Sequence, residues 1–122
     1  MRVLIVDDEA LIRWSLAETF GDHGYGVVEA ENAKAARAAV SNGAAFDAVL
    51  LDFLMPDSND LSLLADIRRL APDAHVVMMT AFGTPEMVQG ALDLGALRVV
   101  SKPFEASDVL ALVGTALGQQ ST

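Results

Sequence analysis

The chain contains no cysteine, which excludes both a disulfide framework and a thiolate metal centre and suits a reducing compartment. Positive charge is scarce: eight Lys and Arg stand against 17 Asp and Glu, for a formal net charge of −9. Duplexes attract proteins through clustered basic side chains, so no direct nucleic-acid contact is expected from this segment. Long apolar runs are also missing. The first one, Val3 to Val6, is stopped by Asp7-Asp8-Glu9 and is too short for a signal-peptide core or a membrane span. No internal repeat or linker is present, and the only biased stretch is the polar end Gln119 to Thr122. At 122 residues one domain is expected, without room for a second module. The expectation is a cytoplasmic domain over 1–118 with a short tail over 119–122 and no membrane contact.

What is present is regular. Apolar runs of strand length alternate with segments of helical period, which predicts five βα units and a parallel α/β sheet with helices on both faces. Ile12, Leu16 and Phe20 predict a first helix ending near Gly21 or Gly24, and Gly26 to Ala30 a second strand. Asn32 is expected to cap an alanine-rich helix with Ala36, Ala39 and Val40 inward. Ala48 to Asp52 predicts a third strand. Met55-Pro56-Asp57-Ser58-Asn59-Asp60 reads as a loop, and Leu63, Leu64, Ile67 and Leu70 as the apolar side of a helix stopped by Pro72. Thr84 and Pro85 open a fourth helix that closes at Gly95. The last helix carries Leu110, Val113 and Leu117 on one stripe with Val109, Leu112 and Ala116 beside it.

Four of the predicted strands run into a polar group. Val3 to Val6 meets Asp7-Asp8, Val49 to Leu51 meets Asp52, Val76 to Met79 meets Thr80, and Val99 to Ser101 meets Lys102. In open parallel sheets ligands bind outside the carboxyl ends of the strands, at the crevice where the winding reverses. With strand order 2-1-3-4-5 the crevice falls between strands one and three, beside Asp7, Asp8 and Asp52. Two carboxylates about 4 Å apart repel by roughly 4 kcal/mol at an effective dielectric of ~20, so the group needs neutralising. A proton or Lys102 offsets one charge, and a divalent cation two. Mg²⁺ suits one or two carboxylates supplemented by waters and phosphate oxygens. Carboxylates also act as nucleophiles towards phosphorus, and Asp52, ending a central strand alone, is the best acceptor. Singly, Asp7 or Asp8 is more often a helix cap, Asp52 a turn residue, Thr80 a capping hydroxyl and Lys102 a surface amine. Their coincidence at four strand ends outweighs those readings. His23, His75 and the pair Met78-Met79 are assigned to surface, strand edge and core.

These residues resemble the receiver domain of bacterial two-component response regulators over Arg2 to Leu117. The matching motifs are Val-Asp-Asp-Glu at 6 to 9, Leu-Asp-Phe-Leu-Met-Pro at 51 to 56, Met-Thr-Ala-Phe-Gly at 79 to 83, Leu-Gly-Ala at 94 to 96 and Lys-Pro-Phe at 102 to 104. The resemblance implies a flavodoxin-like (βα)5 fold that takes a phosphoryl group on Asp52 from a sensor histidine kinase or phosphotransfer protein and switches conformation. It implies Mg²⁺ on Asp8, Asp52 and the Leu54 carbonyl, with Asp7 acting through water. Thr80 and Lys102 would contact phosphoryl oxygens, and the Lys102-Pro103 bond would be cis. Ile12-Arg13-Trp14 and Thr80-Ala81-Phe82-Gly83 look most like the nitrogen-regulation type, whose receivers usually precede transcriptional output modules. A homodimer through the last two helices is a further expectation.

Departures from the family pattern set further expectations. Asp60 stands where glycine is usual, implying a left-handed backbone there. Val99 replaces an aromatic that usually rotates, leaving the signal to the Phe82 loop, the fourth helix and the last helix. Leu54 and Phe82 cannot orient water, implying slow loss of phosphate. Trp14, about 200° round the first helix from Ile12, is expected to be partly exposed and is assigned equally to kinase contact or to packing. Two rivals share parts of this pattern. A haloacid-dehalogenase-type phosphatase normally carries Asp-x-Asp rather than adjacent Asp7-Asp8. A flavin module needs a hydroxyl- and glycine-rich phosphate loop where Asp7-Asp8-Glu9 would repel phosphate.

Overall fold

A computed structural model describes residues 1–43 and 45–118. The tail expected at 119–122 lies outside the described residues. Ten elements alternate: β1 Arg2–Val6, α1 Ala10–Asp22, β2 Gly26–Ala30, α2 Ala33–Ser41, β3 Ala48–Asp52, α3 Ser62–Leu70, β4 His75–Thr80, α4 Pro85–Asp93, β5 Arg98–Ser101 and α5 Ala106–Ala116. All pairings are parallel, in the order β2-β1-β3-β4-β5.

Period-two alternation splits the strand side chains between two cores. Leu4, Val6, Val49, Leu51, Val76 and Met78 face α2, α3 and α4, where Ala36, Val40, Leu64, Ile67 and Ala91 close over them. Val3, Ile5, Ala48, Leu50, Val77 and Met79 face α1 and α5 through Leu16, Phe20, Val109 and Val113. Burial on both faces explains why these strands read as continuous apolar runs rather than alternating ones. It also leaves polar side chains no place within the strands except their ends.

The helix boundaries follow the expected chemistry. Asn32 accepts from the Ala35 N–H at 2.8 Å, and Thr84 accepts from Met87 N–H at 3.1 Å with Pro85 in the first turn. Gly95 ends α4 at φ +101°, a backbone that favours glycine, and an added Cβ would lie 2.8 Å from Arg68 Nε and displace that side chain.

Three expectations change. Asp60 is not left-handed, since no non-glycine residue among those described has positive φ. Its carboxylate accepts from the Ser62 N–H at 2.9 Å and Ser62 Oγ at 2.6 Å, so it closes a turn ahead of α3 without a left-handed residue. Leu70 is partly exposed at the end of α3. The inward centre of α5 is Val109 and Val113, with Leu110, Leu112 and Leu117 half-buried around them.

Candidate functional site

The carboxyl edge of the sheet gathers the predicted polar groups. β1 delivers Asp7, β3 Asp52, β4 Thr80 and β5 Lys102. Asp7, Asp52 and Thr80 are the buried polar residues among those described, whereas Asp8 and Glu9 remain exposed. Carboxylate oxygens of Asp7, Asp8, Glu9 and Asp52 lie within 4.8 Å of one another.

Lys102 reaches into this cluster beneath the cis Lys102-Pro103 bond. Its ammonium sits 3.3 Å from Asp52 Oδ2, 3.0 Å from Asp7 Oδ2 and 2.9 Å from Glu9 Oε1. Burial alone would lower its pKa, but Glu9, Asp7 and Asp52 outweigh that and raise it. One ammonium cannot balance the set. Burial, followed by the charge of Asp7, pushes Asp52 up to about 7, against the pull of Lys102. Asp7 Oδ2 is close enough to Nζ for an ion pair but lacks the alignment of a hydrogen bond, and it is the buried side-chain oxygen left without one among the described residues. A buried carboxylate oxygen held by an ion pair without a hydrogen bond has capacity for a further donor. A hard divalent cation with its waters fits this donor set, because it supplies the charge and the hydrogen-bond donors the protein withholds.

Each group is held in place by hydrogen bonds of the neighbouring backbone. The Glu9 N–H donates to Asp7 Oδ1 at 2.9 Å, so Asp7 closes the turn into α1 instead of capping the helix, where Glu9 is the cap residue. The Phe53 N–H donates to Met79 O at 2.8 Å, fixing the chain beyond Asp52. The Thr80 carbonyl accepts from Lys102 N–H at 2.7 Å, while Thr80 Oγ1 accepts from Phe82 N–H at 3.2 Å. Leu54, Phe82, Phe53 and Ala81 join Glu9, Asp52, Thr80 and Lys102 around a cavity of about 140 Å³. Leu54 is 60% and Phe82 88% exposed at its rim.

A larger cavity of about 200 Å³ lies between α1 and the chain entering α5, against Leu11, Ile12, Leu16, Pro103 and Phe104. Its one titratable lining residue is Lys102, so the smaller, acidic cavity is where group transfer chemistry is possible. Trp14 is mostly exposed. His23 is exposed and bonded to Thr19 O, His75 opens β4, and Met78 and Met79 are core.

Two residues of the site escaped sequence reasoning. Glu9 was visible only as the third member of an acidic run, yet it makes the shortest carboxylate contact to the Lys102 ammonium. Arg13 donates from Nη1 to Asp7 O at 2.7 Å and from Nε to Glu29 Oε1 at 3.1 Å, bracing the turn that presents Asp7 against β2. Its position one turn after Glu9 was the available signal.

Comparison with known proteins agrees with this geometry. A family model for the response regulator receiver domain matches residues 3–114. Sporulation initiation phosphotransferase F of Bacillus subtilis is 34% identical over 108 residues, 88% of this chain and 86% of that protein. The DNA-binding transcriptional regulator NtrC of Rhizobium meliloti is 32% identical over 96% of this chain, which spans 24% of that regulator. Among solved structures, the CheX-CheY-BeF3-Mg²⁺ complex from Borrelia burgdorferi contains a chain with TM-score 0.87 and 28% identity, covering 96% of this chain and 89% of that one.

Proposed function

The chain belongs to the response regulator receiver family, a signalling domain of two-component systems, and we propose that Asp52 is its phosphoacceptor, charged by a sensor histidine kinase or phosphotransfer protein. The observation that carries this reading is the meeting of Asp52, Thr80 and Lys102 at one cavity beside the unsatisfied oxygen of Asp7. Mg²⁺ would be held by Asp8, Asp52 and the Leu54 carbonyl, with Asp7 through a water. When bound it would neutralise equatorial phosphoryl oxygens and hold the donor in line.

The ionised Asp52 oxygen attacks phosphorus; a P–O bond forms as the P–N bond to the donor imidazole breaks, and the electron pair stays on the imidazole nitrogen. Without a cation, burial and the charge of Asp7 raise the Asp52 pKa to about 7; bound Mg²⁺ would favour the ionised carboxylate that attacks. Lys102 is 3.3 Å from Asp52 Oδ2, within reach of an oxygen on the new phosphoryl group, and the Thr80 hydroxyl serves another. These contacts favour one loop arrangement, and a differential of roughly 3 kcal/mol changes the ratio of states more than a hundredfold. Val99, paired with Met78 across the β4–β5 ladder, is too small to swing as an aromatic would. The Phe82 loop, α4 and α5 carry the change. Exposed Leu92, Leu94 and Leu97 beside α4 and β5 support a homodimer through the last two helices. The likeness to NtrC supports a transcriptional output made by another segment, in the cytoplasm; no helix among the described residues is long and apolar enough to cross a membrane. We assign residues 1–118 to the receiver unit.

The test is intact-mass spectrometry of the protein incubated with acetyl phosphate. One added phosphoryl group with Mg²⁺ and none with a chelator is the expected result; no addition in either case would overturn the reading. The haloacid-dehalogenase alternative is not favoured, since Asp7 and Asp8 are adjacent and the chain matches the receiver family over most of its length.

Loss of phosphate should be slow. Leu54 and Phe82 stand at the cavity rim and offer an attacking water no hydrogen bond. Leu54→Asn and Phe82→Glu are each expected to speed autodephosphorylation about tenfold, the ~1.4 kcal/mol of one oriented hydrogen bond. Equal decay of phosphorylated wild type and both variants would remove this role.

A further inference from the structure

We propose that Asp57 is a positioning residue that clamps the loop following Asp52 to the start of α2, so that filling the acidic cavity is felt at the first turn of that helix. The inference rests on the cation site described above.

A helix leaves its first N–H groups without partners inside the helix. In α2 the first three are all taken by side chains, and only one of those side chains is local. Asn32 accepts from Ala35 N–H. Asp57 Oδ1 accepts from Ala33 N–H at 2.9 Å and Asp57 Oδ2 from Lys34 N–H at 3.1 Å, across 24 and 23 residues of sequence. These bonds, that to Ala33 first, hold the Asp57 carboxyl below the usual range, so it stays an anion matched to the positive end of the helix.

Asp57 lies in a tight turn closed in both directions, Met55 N–H to Ser58 O at 2.8 Å and Ser58 N–H to Met55 O at 3.1 Å. Met55 is buried in the core beneath that turn. On the other side, Phe53 is tied to Met79. Leu54 therefore sits between two pinned residues, and its carbonyl cannot move far without turning the 55–58 segment. That segment is fastened to α2. The helix has a second tie, from Arg37 Nε to Asp66 Oδ2 of α3 at 2.9 Å, which holds α2 against α3 while the Asp57 bonds hold it to the loop. A carbonyl drawn towards a cation then tightens the Asp57 clamp, and by reciprocity a looser clamp weakens cation binding.

The experiment combines calorimetric Mg²⁺ titration with amide hydrogen exchange at Ala33 and Lys34, in wild type, Asp57→Asn and Asp57→Ala. In wild type, saturating Mg²⁺ is expected to slow exchange at both amides about fivefold, the lower end of ordinary coupling. Asp57→Ala should bind Mg²⁺ about fivefold more weakly and, once saturated, show no change at either amide. Asp57→Asn, with one acceptor oxygen left, should fall between and keeps the test alive if the alanine variant does not fold. Wild type that binds Mg²⁺ with unchanged Ala33 and Lys34 exchange overturns the proposal, as does a folded Asp57 variant with wild-type affinity and protection. Absence of any Mg²⁺ binding to wild type would overturn the cation site itself, and the clamp's role with it.

Discussion

Asp52→Asn is expected to lose all phosphoryl uptake from acetyl phosphate and, without metal, to be more stable than wild type at alkaline pH. The first effect follows from removing the nucleophile: an amide oxygen carries no charge with which to attack phosphorus. The second follows from the raised pKa. Asp52 is pushed from 3.8 to about 7, so between these values the folded protein holds a proton that the unfolded chain has released. Stability contributed by this group is therefore greatest at acidic pH, falls as pH rises from about 4 to about 7, and levels off above. The full shift corresponds to at most ~4 kcal/mol at 1.36 per unit. Solvent and mobile counterions at the mouth reduce the realistic gain for Asp52→Asn to about 1–2 kcal/mol. Urea unfolding of both proteins at pH 5 and pH 8 measures it: the variant's advantage should appear at pH 8 and shrink at pH 5. Saturating Mg²⁺ should bring wild type back towards the variant, because the ion relieves the same repulsion. An advantage of equal size at both pH values would mean that repulsion around Asp52 is not its source.

Lys102→Met is expected to cost more. The Lys102 side chain is 10% exposed and its ammonium contacts three carboxylates; removing one partner of a buried ion pair typically destabilises by ~3–5 kcal/mol, and less where one side of the site is open. The arm to exposed Glu9 contributes little of this, since surface pairs are weak; the loss comes from Asp7 and Asp52, left facing each other without the ammonium. Protonation or Mg²⁺ offers the charge that methionine cannot. The variant should thus be destabilised by about 2–4 kcal/mol at pH 8 without metal and regain most of the loss at pH 5 or on adding Mg²⁺. Thermal unfolding under the three conditions decides it, and a loss equal in all three would point to packing of the stem rather than charge.

Much of this was legible in the amino-acid order because both faces of the sheet are covered. A strand buried on both sides must be apolar throughout, so the first polar residue at its end marks where it stops, which places Asp7, Asp52 and Thr80 together; the half-exposed edge strand β5 places Lys102 beside them through strand order. Caps at Asn32 and Thr84 are equally local and equally readable. The remainder depends on tertiary geometry. Long side chains choose partners in space, which hid Glu9 on Lys102 and Arg13 on the Asp7 carbonyl. Asp57 looked like part of a loop; that it serves α2, 24 residues earlier, no local pattern reveals. The inward line of α5 was ambiguous because its apolar arc is wide, and packing on α1 and the sheet selects Val109 and Val113. A glycine expected from family likeness at Asp60 misjudged the backbone, which closes that turn through the carboxylate instead.

The short bond from the Lys102 amide to the Thr80 carbonyl makes neighbours of two residues 22 positions apart. Hydroxyl and amine therefore rise from backbones riveted at one spacing, while each side chain still turns about its own bonds. The rivet sets where the two jaws are rooted, and the span between their roots stays the same whichever of them moves.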